Sequence, residues 1–237
     1  MSTFNSIPAA ERIIVALDCD VDRALEIAQS LKGKASWLKV GMTLYYDQGP
    51  SIVKTFKDMG FKVFLDLKFF DIPHQVKGAA ASACMSGADM ITMHALGGSD
   101  MMKAAVEGIE ELHLESNPIT LAVTVLTSMD QDDLSEIGVS RQVVDQVQAL
   151  ALLAQSSGVS GVVASPQEAP LLREKLGPDA YIVTPGVRPL GSSKGDQSRV
   201  TTPEQAFKNG ASHIVIGRPI TEQDNPAEAF EAIAKGL

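Results

Sequence analysis

The amino-acid sequence predicts one α/β domain over residues 1–237, a single closed (β/α)8 barrel of the TIM type. Three observations carry that expectation. Short β-rich runs alternate with longer segments of helical period along the whole chain, the pattern of a parallel sheet with crossover helices. The runs number eight of each kind, and no linker-like or low-complexity stretch interrupts them. At 237 residues with 45% hydrophobic content, the chain can bury a core of the size a small barrel needs. An open doubly wound sheet is the alternative at this level.

Strands are expected at residues 12–18, 36–42, 62–68, 90–95, 119–126, 161–165, 181–187 and 213–220, each built on apolar residues. Helices are expected between them at residues 21–31, 51–59, 75–86, 100–112, 142–155, 167–176, 203–208 and 226–234. Gly33, Gly60, Gly87, Gly158, Gly177 and Gly210 end these helices or join them to the next strand. A left-handed residue costs least at such places when it is glycine.

The balance of 20 basic against 29 acidic residues gives a net charge of −9, which repels nucleic acid and anionic membrane surfaces. A phosphate ligand would therefore be held by a few local cations and backbone amides. Cys19 and Cys84 are the only cysteines, too few for a disulfide framework and without a CxxC partner for metal. Reduced thiols fit a cytoplasmic protein. Cys19, beside Asp18, is read as a bystander rather than a nucleophile. Residues 1–12 lack the basic and apolar regions of a signal peptide, and no apolar stretch reaches membrane-spanning length.

In a (β/α)8 barrel the active site lies at the carboxyl ends of the strands. Asp18 ends the first expected strand, Lys39 lies on the second, Asp66 and Lys68 end the third, His94 ends the fourth, and Gly217-Arg218 ends the eighth. Asp66 and Lys68 are two residues apart and share a face, while Asp71 lies just beyond. A solvated ion pair is one reading of that spacing. The alternating signs of Asp18, Lys39, Asp66, Lys68 and Asp71 favour another, in which a lysine between carboxylates stays protonated and serves as a proton donor. A second constellation follows the seventh and eighth strands: Thr184-Pro185-Gly186-Val187-Arg188-Pro189, then residues 191–197, then Ile216-Gly217-Arg218-Pro219. Barrels commonly hold phosphate there, with glycine amides and an arginine fork as ligands. The polar segment 191–197 suits a lid over an anion, with a plain surface loop as the alternative.

Three motifs carry a resemblance: Asp66-Leu67-Lys68-Phe69-Phe70-Asp71-Ile72-Pro73, Thr184-Pro185-Gly186-Val187-Arg188-Pro189 and Gly217-Arg218-Pro219. Together they resemble the bacterial orotidine 5′-phosphate decarboxylases, over essentially the whole chain. Val123-Thr124-Val125-Leu126-Thr127-Ser128-Met129, Gly195-Asp196-Gln197 and Thr202-Pro203-Glu204-Gln205-Ala206 follow in the order and spacing of that family. The resemblance implies decarboxylation of orotidine 5′-phosphate to uridine 5′-phosphate in pyrimidine synthesis, without metal or organic cofactor. It implies Lys68 as proton donor, Asp66 beside the substrate carboxylate, Lys39 in the charged network and on the ribose, and Asp18 on the ribose. Thr127 matches a position near the base, and Arg188, Gln197, Gly217 and Arg218 match phosphate-side contacts. Asp71 resembles the aspartate that reaches into the neighbouring subunit's site, which implies a homodimer.

The sequence departs from the family pattern after Asp71-Ile72-Pro73, where His74-Gln75 replaces the Asn-Thr of many bacterial relatives. Gln75 then stands where a threonine contacts ribose across the dimer; it keeps hydrogen-bonding capacity but is longer and loses more rotamer freedom. Phe70 stands where a histidine is common. The competing reading is a metal-dependent barrel resembling 3-keto-L-gulonate 6-phosphate decarboxylase or hexulose-phosphate synthase. Those relatives place a glutamate for Mg²⁺ where this chain has Lys39, and an ammonium there repels the ion. A barrel that only binds a nucleotide is a third, more remote reading.

Overall fold

A computed structural model describes residues 2–189 and 201–237. Eight parallel strands close on themselves in sequence order: β1 Ile13–Ala16, β2 Trp37–Gly41, β3 Lys62–Phe69, β4 Met90–His94, β5 Ile119–Val123, β6 Gly161–Val163, β7 Tyr181–Thr184 and β8 His213–Ile216. β8 pairs back onto β1 through Ile14↔Val215, so the sheet has no free edge and the fold is a single (β/α)8 barrel rather than an open sheet. The helices around it are α1 Val21–Leu31, α2 Met42–Gln48, α3 Ser51–Asp58, α4 Pro73–Met85, α5 Gly98–Glu110, α6 Gln131–Glu136, α7 Val143–Ser156, α8 Ala169–Leu176, α9 Pro203–Lys208, α10 Arg218–Thr221 and α11 Pro226–Lys235.

Several boundaries differ from the sequence expectation for identifiable reasons. β7 stops at Thr184, because Pro185 has no N–H for the ladder and Gly186 turns to φ 76°. β8 stops at Ile216, and the apolar residues that follow belong to α10, whose first turn holds Pro219. Three short helices were not expected. α2 begins where β2 ends; α6 is started by a capping box between Asp130 and Asp133; α10 lies in what was expected as strand.

Residues at every second strand position fill the barrel's interior: Ile14, Ala16, Trp37, Phe64, Met90, Leu121, Val183 and Val215. Their neighbours in sequence face the helices and join the larger core between the two layers. Gly161 is required in β6, since a Cβ there would lie 2.1 Å from the carbonyl oxygen of Tyr181.

The floor of the barrel, at the amino ends of the strands, is aromatic. The His213 ring stacks on Tyr181 with centroids 5.8 Å apart and meets Trp37 edge-on at 5.6 Å. Phe4, carried by a 3-10 turn over Thr3–Ser6, closes the floor against Tyr181 at 4.8 Å. Arg173 ties the surrounding loops, donating to the carbonyls of Gly177, Pro178, Ala180 and Gly210. Such a floor suits stability and leaves the opposite end open for chemistry.

Burial first, then the charges of Arg12 and Lys62, push the His213 imidazole from its ordinary 6.5 down to about 3. An unfolded chain binds this proton near 6.5 and the folded chain only near 3, so folding loses stability as pH falls through that window. His213→Gln removes the titrating group. The unfolding free energy of the native chain, measured in urea, should therefore fall more steeply with acidification below 6.5 than that of the variant, by up to about 1.4 kcal/mol per pH unit. Equal slopes would show that His213 protonates normally in the folded state.

Candidate active site

At the opposite end of the barrel the strands deliver charge. Lys39 lies two residues beyond Trp37 on β2, Asp66 two beyond Phe64 on β3, and Thr92 two beyond Met90 on β4, so the two-residue period of a strand turns all three inward. Lys39 and Thr92 are buried, at 8% and 0% exposure. Lys39 Nζ donates to Asp18 Oδ1 at 2.8 Å and stands 3.6 Å from Asp66 Oδ2. Lys68 Nζ donates to Asp66 Oδ1 at 2.9 Å. Charges thus alternate along Asp18, Lys39, Asp66 and Lys68, as the sequence spacing suggested.

Alternation is what lets Lys39 and Asp66 stay ionised away from water. Burial alone would neutralise Lys39, but the charges of Asp66 and Asp18, with hydrogen bonds to both, outweigh it and hold the ammonium above its ordinary range. Burial likewise opposes the Asp66 carboxylate. The charges of Lys39 and Lys68, with hydrogen bonds from Lys68 and Thr92, outweigh that and hold Asp66 below its ordinary value. Gly41 makes room for this packing: a Cβ there would lie 3.0 Å from Asp18 Oδ1 and 3.2 Å from Lys39 Nζ.

Lys68 has a left-handed backbone, φ 54°, which for a non-glycine residue costs on the order of 1 kcal/mol. The β3–β4 register shifts between Leu65 and Phe69, around this residue. The irregularity re-aims the lysine at the barrel mouth, where Lys68 lines a pocket of about 820 Å³. Asp18, Lys39, Asp66, Thr127, Arg188, Gly217 and Arg218 line the same pocket, so eight of the residues expected from the sequence converge on it. The charged cluster lies on the side of β1 to β3, and Gly217 and Arg218 lie after β8, where α10 begins. A volume of this size suits a ligand of nucleotide dimensions.

Two expected residues are elsewhere. Asp71 and Gln75 are exposed and do not line the pocket of their own chain; Asp71 Oδ1 accepts the N–H of Ile72 at 2.6 Å. Gln197 and the segment 191–197 lie outside the described residues. His94 is half-buried with its ring 5.5 Å from that of Phe70. Burial first, then the charge of Lys68, lowers its pKa against the opposing charge of Asp66.

The sequence reading missed Thr92 and Arg23. Thr92 shares the inward parity of Met90 and His94 on β4, a signal that could have singled it out. Arg23 lines the pocket and donates to the carbonyls of Thr221 and Gln223, tying α1 to the segment that carries Gly217 and Arg218. No helix is long and apolar enough to cross a membrane among the described residues. Nor, among those residues, do three His, Cys, Asp or Glu side chains gather as metal ligands.

Comparison with known proteins agrees with this geometry. The sequence model of the "Orotidine 5'-phosphate decarboxylase / HUMPS family" matches residues 11–233. An orotidine 5′-phosphate decarboxylase of Maridesulfovibrio salexigens is 48% identical over 226 residues, covering 93% of this chain and 96% of the relative. One of Nitrosococcus oceani is 49% identical over 223 residues, covering 94% and 95%. The crystal structure of orotidine 5′-phosphate decarboxylase from Lactobacillus acidophilus superposes with a TM-score of 0.85 at 39% identity, covering 95% of this chain and 98% of that one.

Proposed function

Because the chain belongs to the orotidine 5′-phosphate decarboxylase / HUMPS family, we propose that its barrel mouth converts orotidine 5′-phosphate to uridine 5′-phosphate and CO2 in pyrimidine synthesis, with Lys68 as proton donor and no metal or organic cofactor. The observation that carries this reading is Asp66, its side chain only 12% exposed, held between the ammonium groups of Lys39 and Lys68. When the C6–carboxylate bond breaks, its electron pair stays on C6 and no ring position accepts it as an ordinary sink. A fixed ammonium beside C6 stabilises that developing charge and then gives it a proton; Lys68 regains a proton from water. Asp66 holds the ammonium in place before substrate arrives, so little reorganisation remains for the reaction itself.

Lys39 and Asp18 take the ribose hydroxyls, and Thr127 lies near the base. The phosphate lies at the rim that follows β7 and β8, against the Gly217 amide, the Arg218 fork and Arg188, with Gln197 as a further ligand. Binding energy gained on that remote dianion orients the ring over Lys68. Lys39 also separates this chemistry from that of a metal-dependent barrel. Its ammonium is already seated between Asp18 and Asp66 and would repel a divalent cation from those carboxylates.

Asp71 and Gln75 serve a neighbouring copy of the chain, and the active unit is a homodimer. The exposed apolar side chains support this: Phe70 and Ile72 flank Asp71 at 62% and 63% exposure, and Met42, Tyr46 and Leu96 are exposed after the adjacent strands β2 and β4. A cytoplasmic setting suits the free thiols of Cys19 and Cys84, and residues 1–237 act as one barrel domain.

Purified protein given orotidine 5′-phosphate in excess EDTA should show the fall in ultraviolet absorbance that accompanies decarboxylation, and Lys68→Ala should abolish it while uridine 5′-phosphate still binds. Activity that returns only with added Mg²⁺, or full turnover by the variant, would overturn the reading. The shared site has its own check. Lys68→Ala and Asp71→Ala chains, each inactive alone, should recover about a quarter of native activity when unfolded together and refolded, since about half the dimers are mixed and each has one intact site of two. Mixed dimers that form and stay inactive would place Asp71 in its own chain's site.

A further inference from the structure

Thr92 lies mid-strand in β4 with no exposed surface and does not line the pocket, yet its hydroxyl joins both partners of the central ion pair. Oγ1 accepts the backbone N–H of Lys68 at 2.9 Å and donates to Asp66 Oδ1 at 2.9 Å. A threonine hydroxyl has one hydrogen to give, so accepting the amide fixes donation to the carboxylate. The same Asp66 oxygen accepts Lys68 Nζ at 2.9 Å. A closed circuit of hydrogen bonds therefore runs from the Lys68 amide through Thr92 and Asp66 to the Lys68 ammonium.

The circuit forms where regular strand geometry fails. The β3–β4 register shifts between Leu65 and Phe69, and Lys68 has the left-handed φ of 54°. The Lys68 N–H is met there by a side-chain oxygen of β4 in place of a strand carbonyl. Without that acceptor, a part-buried amide loses its partner in a conformation that a lysine otherwise avoids.

We infer that Thr92 is a positioning residue for proton transfer, setting through one hydroxyl both the backbone turn that aims Lys68 and the orientation of the Asp66 carboxylate that holds its ammonium. The inference rests on the reading of Lys68 as proton donor to a decarboxylated orotidine 5′-phosphate. Thr92 acts through Lys68 and Asp66 and not on the phosphate rim, which is built after β7 and β8. Its loss slows the chemical step and leaves remote binding intact.

Thr92→Val keeps the shape and removes the hydroxyl, Thr92→Ala removes more, and Thr92→Ser restores the donor and acceptor. Three quantities separate positioning from mere packing: kcat and KM for orotidine 5′-phosphate, affinity for uridine 5′-phosphate, and exchange of the product's C6 hydrogen with deuterium, followed by NMR. In the exchange, the neutral Lys68 amine takes the C6 proton, trades it with solvent and returns a deuteron, so its rate reads proton transfer alone. Val and Ala should lower kcat and the exchange rate by about 10- to 100-fold, the scale of a misplacement of about 1 Å. KM and product affinity should stay within about threefold of native, and Ser should be close to native. A native protein without decarboxylase activity would defeat the assigned reaction itself. With an active native protein, full kcat in the Val and Ala variants, losses confined to KM or product affinity, or a Ser variant no better than Ala would each overturn the role of Thr92. If Thr92→Val does not fold, the comparison of Ala with Ser decides the same question.

Discussion

The carboxylate of Asp66, held ionised between two lysines at the carboxyl end of the barrel, is the constraint on which the rest of the site depends. An isolated carboxylate at that depth would take up a proton, because burial disfavours its charged form. Lys39 and Lys68 reverse that preference, and Asp66 in turn, with Asp18, keeps Lys39 charged against its own burial. Burial opposes the charge of both Lys39 and Asp66, and each keeps it through the other. The groups are therefore assembled by folding and stand ready before any ligand enters.

Barrel closure supplies the geometry. Across β2 and β3 Lys39 pairs with Phe64 and Asp66 with Gly41, and the inward-facing Lys39, Asp66 and Thr92 of three successive strands meet above a packed apolar interior. The aromatic floor around His213 closes the far end, and the cluster of Asp18, Lys39, Asp66 and Lys68 stands at the mouth. One local irregularity is then added to this regular frame. The register shift in β3 and the left-handed Lys68 let the strand turn both Asp66 and Lys68 into the pocket. Strain at that position is tolerated because the neighbouring strand meets the displaced amide through Thr92.

Much of this was legible in the sequence. Eight apolar runs separated by helical segments imply a barrel, and the position of each charge within its run indicates which charges face the mouth. Asp66, Lys39 and Lys68 stand out because charged residues are uncommon in the apolar context of a barrel strand. Thr92 does not stand out, since threonine is an ordinary strand residue and only its partners reveal its work. The strands expected at 181–187 and 213–220 ran long because apolar composition continues past the point where Pro185 and Gly217 end the ladder. The short helices after β2 and β5 carry too few residues for a periodic signal. Asp71 and Gln75 were legible only through the family resemblance, because one chain folded alone leaves both on its surface.

The ionisation of Asp66 in the folded protein is the most direct measure of whether the charged network governs the site. Aspartate labelled with ¹³C at the side-chain carboxyl, with the Asp66 resonance assigned by its loss in Asp66→Asn, allows that group to be titrated by NMR while the protein remains folded. The account predicts an Asp66 carboxyl that remains ionised through and below the ordinary value of 3.8 while exposed aspartates take up protons. A carboxyl that protonates at or above that value would contradict it, since burial would then prevail over the two lysines.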